Sequence, residues 1–395
     1  KVLPSLFADG DYVFDNGLEA NLHQSFTRFD HKDAITRNYT AADEALLQRR
    51  ALFNTNINPV FDPITGLPVP DPFTSQAYYT GERAFISGER LNLDYNLALP
   101  LRTAGAFLTP KIGVRHVSQS LDQTTVFTPN SNPSATAAYA SVDSGLIFER
   151  NTNFFGNAYT QTLEPRLFYY YSNPGSQKDT YNFDSNALTQ SYSQLFHDYR
   201  LAGEDYIDDS NQLSLGVSSR LLSPVTGREL LRLGIGQAFY FNKRDVVLES
   251  DPRTAEYERN RSKSSLVFDA SARLSSEWDV RTETLWDQSK GKKDRQSLAL
   301  RYRDGKGRLF NTGYQYIDRP SEWLPLVVDP STGAPINLNG LTPDPLKGTT
   351  IDRTVQQFYV SGAYPLNNQW SLIGHWNRDA TNSRNLETIA GVEYG

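Results

Sequence analysis

Apolar and polar residues alternate along most of the chain. Over residues 159–171, Tyr159, Gln161, Leu163, Pro165, Leu167, Tyr169 and Tyr171 make one, mostly apolar, row. Thr160, Thr162, Glu164, Arg166, Phe168 and Tyr170 make the other row, polar through its first half. A period of two predicts a strand with one dry face and one wet face. At roughly 13 residues the strand is longer than the usual 5–6. Such a strand, tipped with aromatics, suits a tilted crossing of a membrane.

The same pattern recurs from the start. Residues 4–14 predict a strand closed by Asp15, Asn16 and Gly17, and Asn-Gly is a strong hairpin signal. Residues 18–29 return. A polar stretch over 30–82 follows, whose prolines at 59, 63, 68, 70 and 72 mark a loop, with a short helix expected near 41–51. Over 84–99, Leu91, Leu93, Tyr95, Leu97 and Leu99 alternate with Arg90, Asn92, Asp94 and Asn96. The first set is expected to face lipid and the second the interior. Further strands are expected over 106–118, 136–149, 211–222, 229–241, 264–274, 278–289, 295–304, 308–317, 354–364, 369–378 and 385–394.

Template matching thus predicts about 15 strands. Connections alternate short and long. The short ones fall at 15–17, 100–105, 150–156, 223–227, 275–277, 304–307 and 365–368; the long ones, such as 172–210, lie between. An outer-membrane barrel sorts its loops in this way, with short periplasmic turns and long extracellular loops. Aromatics also cluster at strand ends: Tyr12, Phe14, Trp278, Phe310, Tyr364 and Trp370 by short turns, Phe26, Tyr171, Phe241, Trp286, Tyr316 and Trp376 by long loops. Two aromatic girdles are expected where a barrel meets the two interfaces. The fold class expected is therefore an all-β, antiparallel transmembrane β-barrel, with residues 1–395 as one barrel portion.

Composition changes this picture little. The net charge is −6 and the mean hydropathy −0.53, which alone would suggest a soluble protein. Alternating strands, however, average out in a hydropathy window. No run reaches the roughly 18 apolar residues of a membrane helix. Mild acidity with scattered bases argues against a nucleic-acid partner. The chain has no Cys, so redox compartment is not legible, and its start at Lys1 carries no signal-peptide pattern.

Catalytic and metal signatures are weak. There is no Gly-x-Ser-x-Gly elbow, and His23, His31, His116, His197 and His375 lack metal spacing. Asp9, Asp11 and Asp15 resemble a calcium loop, but a ligand is missing at Val13 and the closing Glu is absent. Gly234 and Gly236 fall within a strand, not a phosphate loop. The basic tip at 290–293 reads as solvated. No cofactor and no enzymatic activity are expected.

The inward row is the notable feature. By parity it contains Glu19, Asn21, Arg90, Asp94, Lys111, Arg115, Asp143, Glu164, Arg166, Arg220, Arg232, Asp269, Arg273, Arg281, Glu283 and Arg301. Facing lipid, such charges would cost about 2–4 kcal/mol each at mid-bilayer for Arg or Lys. They imply a wet or polar-plugged lumen, and an ordinary porin wall shares the feature. The cations either pair with neighbouring carboxylates or receive anionic head groups. Pro110 and Pro165 sit inside strands, where each removes a ladder hydrogen bond. They read either as bulges that bend the wall or as a weakened seam.

Residues 159–166, Asp179 to Asp184 (DTYNFD), Tyr192 to Asp198 (YSQLFHD) and Asn211 to Arg220 (NQLSLGVSSR) resemble the LptD family of outer-membrane lipopolysaccharide-assembly proteins. Gly391, Val392, Glu393 and Tyr394 are similar to the family's segment just before its paired cysteines. The resemblance implies a large barrel in the Gram-negative outer membrane that inserts lipopolysaccharide into the outer leaflet. It also implies an LptE-like lipoprotein plug inside the barrel and a periplasmic transport bridge. By the resemblance, the family's N-terminal periplasmic jelly-roll, its cysteines and its terminal barrel strands are expected to lie outside the sequence given. With an odd strand count, β-strands at the two ends are expected not to pair with each other. A general porin or substrate-specific channel is the alternative; an outer-membrane enzyme and an adhesin barrel are more distant ones.

Overall fold

The computed structural model describes residues 2–31, 86–124, 129–154, 156–248, 252–318, 322–324, 349–351 and 354–394. The helix expected near 41–51 and nearly all of the 30–82 loop lie outside the described residues.

In chain order the strands are β1 (Val2–Val13), β2 (Glu19–Phe29), β3 (Gly88–Ala98), β4 (Leu101–Arg102), β5 (Ala106–Leu121), β6 (Ser134–Leu146) and β7 (Phe148–Phe154). Then come β8 (Asn157–Ser172), β9 (Asn186–Ala187), β10 (Leu201–Ala202), β11 (Ser210–Leu222), β12 (Glu229–Tyr240), β13 (Leu266–Arg273) and β14 (Trp278–Asp287). The last are β15 (Lys292–Arg303), β16 (Leu309–Ile317), β17 (Glu322–Leu324), β18 (Thr349–Ile351), β19 (Val355–Pro365), β20 (Trp370–Asp379) and β21 (Arg384–Tyr394). One helix, α1, covers Pro252–Asn260.

Seventeen strands form one antiparallel sheet, and the pairs β9–β10 and β17–β18 stand apart within loops. Hydrogen-bonded neighbours run in a meander from β1 through β2, β3, β5, β6, β8 and β11 to β16, then β19, β20 and β21. Among the described residues no ladder joins β1 to β21.

Register sets the two faces. Leu22 pairs with Tyr95 and Phe26 with Leu91 on one side, His23 with Asp94 and Asp94 with Arg115 on the other. The first face is apolar and uncovered: Leu91, Leu163, Val217, Leu233, Phe268, Leu298, Phe358, Leu372 and Val392 are each at least 37% exposed. An apolar face continuous across that many strands is not stable against water. It is the face a bilayer would cover.

Two boundaries differ from the sequence reading. Residues 150–154, expected as part of a turn, join Phe148 and Glu149 in β7 on the β8 hairpin, and the expected 136–149 strand breaks after Leu146. The reason is visible at Pro165. β6 pairs with β8 as far as Gly145 against Arg166, and β7 resumes at Phe148 against Leu163. The ladder is skipped opposite Glu164 and Pro165, and the Ile147 N–H donates instead to Gly105 O at 2.7 Å. Pro110 repeats the arrangement. β3 pairs with β5 down to Ala98 against Lys111, and β4 resumes at Leu101 against Leu108. The Leu99 N–H reaches Pro110 O at 3.0 Å. In an antiparallel pair one residue directs both its N–H and its C=O to the same neighbour. The hydrogen bond that Pro110 lacks is therefore on the broken side.

The basic tip is also more structured than expected. Lys292 and Lys293 belong to β15, and the Lys293 Nζ lies 4.3 Å from the Tyr316 ring centre.

Candidate functional site

The inner face carries a folded segment, residues 173–209, laid against the sheet between β8 and β11. It has little secondary structure: β9, β10 and a 3-10 turn at Ser193–Phe196. Three glycines make room for that turn. A Cβ on Gly216 would lie 2.6 Å from the Phe196 ring, and one on Gly236 would lie 2.7 Å from Leu195 Cδ1. Gly234 faces the Tyr192 ring at 3.3 Å. Leu195 and Phe196 then join Tyr139, Phe168, Tyr170, Ala238, Val267 and Leu285 in a buried cluster. The apolar second half of the β8 inner row, Phe168 and Tyr170, is thus a seat for the segment.

The segment's polar groups meet the inward charges. Asp205, fully buried, accepts N–H bonds from Phe183, Asp184 and Ser185 at 2.9–3.0 Å and the Arg90 guanidinium at 2.6 Å. Arg90, 3% exposed, also holds Asp184 at 2.6 Å. Burial would push Asp184 up, but the bound Arg90 guanidinium outweighs this and holds its carboxyl below the usual range. Asp198 is bound by Lys111 at 3.1 Å and by Arg115 at 3.3 Å. Desolvation opposes its charge, and these two cations override that and hold its pKa down. Asp94 receives Arg115 Nε at 2.7 Å and the Tyr139 hydroxyl at 2.8 Å.

Further down the strands the pairing is wall to wall. Arg166 grips Asp143 at 2.6 and 2.8 Å, and its guanidinium lies 4.4 Å from the Phe196 ring centre. Arg220 Nε reaches Glu164 at 2.6 Å, and Arg232 reaches Glu229 at 2.9 Å. Glu283 accepts the Tyr192 N–H at 3.2 Å. Arg273, Arg281 and Arg301 remain exposed on the inner face.

His23, which lacks metal spacing in the sequence, is not isolated in the fold. Its Nδ1 lies 2.5 Å from Asp9 and its Nε2 3.0 Å from Glu204, so it ties β1 and β2 to the segment. Asp184, Asp198, Glu204 and Asp205 were not singled out from the sequence as site residues. Their partners lie on strands far away in sequence, and no local period marks them. The one available signal was the pair of motifs at 179–184 and 192–198.

Among the described residues no group of three or more His, Cys, Asp or Glu is placed to hold a metal ion. The arrangement binds and positions; it presents a polar inner wall with its own packed insert.

Comparison with known proteins fits this architecture. The family model for LptD, "LPS transport system D", matches residues 2–370. The LPS-assembly protein LptD of Nitrosococcus oceani is 34% identical over 307 residues, covering 78% of this chain and 36% of that protein. That of Chromohalobacter salexigens is 33% identical over 322 residues, covering 79% and 37%. The chain therefore spans a little over a third of the length of these relatives. Among solved structures, BauA, the ferric preacinetobactin receptor from Acinetobacter baumannii, aligns over 95% of this chain and 53% of its own, at 10% identity and a TM-score of 0.39. A TM-score that low does not establish a shared architecture.

Proposed function

The chain belongs to the LptD family and is an integral outer-membrane β-barrel protein; from that premise we propose that it forms part of the wall through which lipopolysaccharide is inserted into the outer leaflet. The family match over residues 2–370 carries this reading. The physical chemistry of the wall supports it. An amphipathic cargo needs a wet, charged path for its sugars, and the inner row supplies one in Arg232, Arg273, Arg281 and Arg301. Its acyl chains need an apolar outer face, which the exposed leucines and aromatics supply. No bond is made or broken, so the function calls for no catalytic group.

The partners follow from the same premise: an LptE-like lipoprotein in the lumen and a periplasmic transport bridge that delivers the cargo. Segment 173–209 fills only part of the inner face. From 295 to 394, Asp379 is the one buried residue among those described. That uncovered stretch, lined by Asn311, Gln357 and Ser361, is the seat this reading assigns to the lipoprotein plug. Photo-crosslinkers at Asn311 and Gln357 in intact cells test this. Capture of a lipoprotein is expected there, and none at Leu298 or Phe358 on the outer face. Absence of any lipoprotein adduct at inner positions would overturn the plug and favour the channel alternative.

A further inference from the structure

Where the inserted segment meets the loop after β12, the inner face holds a cavity of about 560 Å³. Five cationic side chains line it: Arg200, Arg244, Arg261, Lys290 and Arg295. Its size falls within the range of small-ligand sites.

In the lining five cations face three carboxylates, Glu258, Asp294 and Asp318, and the ion pairs are shared unevenly among them. Arg200 is engaged by Asp208, with Nε at 3.1 Å, and by Asp209. Lys290 is 3.4 Å from Asp287 and 3.8 Å from Asp294. Glu258, by contrast, serves two guanidiniums: Arg261 at 2.7 Å and Arg244 at 3.4 Å. Arg295 makes no ion pair within 4 Å among the described residues, and its buried Nε has no hydrogen-bond partner. Arg244 is 4% exposed, stacks 4.0 Å over Tyr240, and its Nε also lacks a partner. Burial, together with the nearby Arg200 and Arg261 charges, depresses its pKa. Its Nη2 donates to the Glu258 carbonyl, and it shares the one Glu258 carboxylate with Arg261, so a further anion would stabilise it. Asp294 and Asp318 also line the cavity, but Asp318 is spent on Lys292 at 2.7 Å and Asp294 on the Ser265 hydroxyl and Lys290.

Alongside the cations stand the side-chain amides of Gln190, Gln212 and Gln315. Guanidiniums suit a tetrahedral oxyanion, and amides suit hydroxyls. We propose that this cavity is a binding site for a phosphate group, with Arg244 and Arg295 as its principal donors and the glutamines contacting an attached sugar. The sugar portion of the proposal rests on the lipopolysaccharide reading above; the phosphate portion does not.

The test uses the full-length protein with its native partner in detergent and reads binding by calorimetry with three probes: inorganic phosphate, phosphorylated lipopolysaccharide, and the same lipopolysaccharide after phosphatase treatment. Arg295→Gln should weaken binding of the phosphorylated probes about tenfold, the scale of a lost charged hydrogen bond. Arg295→Lys should restore part of it, and Arg295 is chosen because its loss breaks no ion pair. Saturable binding of inorganic phosphate alone supports a free-anion site even if the saccharide reading fails. Tighter binding of the phosphorylated saccharide than of phosphate identifies the cargo as the source. Equal affinity for treated and untreated lipopolysaccharide, or no effect of Arg295→Gln in a variant that keeps its heat-modifiable gel shift, would overturn the site.

Discussion

The two halves of the inner face are built alike and finished differently. From β3 to β14 the wall is covered by segment 173–209, and its side chains are buried: Val117 at 2%, Tyr170 at 1%, Val267 at 0%. From β15 to β21 the inner row holds Ser297, Gly313, Gln315, Gln357 and Asn377, and none of these is buried. Both halves have the same alternation and antiparallel pairing, and the covered half alone carries the two proline breaks at Pro110 and Pro165. The difference lies in side-chain size and charge. The covered half offers glycines to admit rings and fixed cations to hold carboxylates. In the uncovered half the space is taken up by the wall itself, a Cβ on Gly313 lying 2.6 Å from the Tyr359 ring of the neighbouring strand. A wall that keeps one half braced can leave the other free for an occupant without losing its shape.

Removing the hub of the brace should separate the halves most. Asp205→Ala leaves Arg90 buried without one of its carboxylates and the Phe183 and Asp184 N–H groups unmet, while the Ser185 N–H keeps Asn182 Oδ1 at 2.8 Å. Loss of one partner from a buried ion pair costs about 3–5 kcal/mol. Hydrogen exchange should then rise across 181–207 and at Arg90, with β19 and β20 unchanged. Gln357→Ala, the matching change in the open half, should stay within about 0.5 kcal/mol in urea unfolding, as for other uncovered positions. Equal effects at the two sites would show that the segment does not brace the wall.

A weaker blow comes from filling the seat. Gly236→Val places methyl groups against Leu195 Cδ1, 2.7 Å from where the Cβ must go, with Leu215 O at 3.0 Å. Overpacking of this kind costs about 1–3 kcal/mol. The 3-10 turn at Ser193–Phe196 should lift, which protease cleavage after Phe196 would report. Gly374→Val on β20 meets only Ile389 O at 3.9 Å and serves as the tolerated control. Cleavage at the same rate in both variants would count against a glycine seat.

These effects bear on what the sequence carries. Period two revealed the strands and both faces, because each position answers only to its nearest neighbours across the sheet. It missed β7, since a proline on the partner strand moves a boundary that the residues 148–154 themselves do not encode. It marked Arg90 and Lys111 as inward without Asp205 and Asp198, the carboxylates they bind. Asp184, Asp198 and Asp205 lie in a stretch without period, and a carboxylate there looks like any solvated loop residue. Only the folded sheet brings Arg90 within 2.6 Å of Asp205, across 115 residues of chain.

The smallest expected contrast between the halves is in acid. Asp198 keeps its carboxyl below the usual range because Lys111 and Arg115 outweigh its desolvation. A carboxylate with a depressed folded pKa adds stability above its unfolded pKa, and that stability is lost as pH falls through the folded value. Asp184 shifts in the same direction, but burial pushes Asp205, which shares Arg90 with it, the other way, so the step is assigned to Asp198. Docking of the segment should therefore be full at neutral pH and weaken only below about pH 4, the ordinary Asp range. Exchange protection over 193–207, with labelling times scaled for intrinsic rates, should fall between about pH 4 and pH 3. Asp198→Asn removes that step at a cost already present at pH 7, so the variant's profile should be flatter and start lower. β19 carries no carboxylate of its own and should not respond over the same interval. A segment that loosens as pH rises from 5 to 8, or an acid step unchanged in Asp198→Asn, would mean that other groups hold it down.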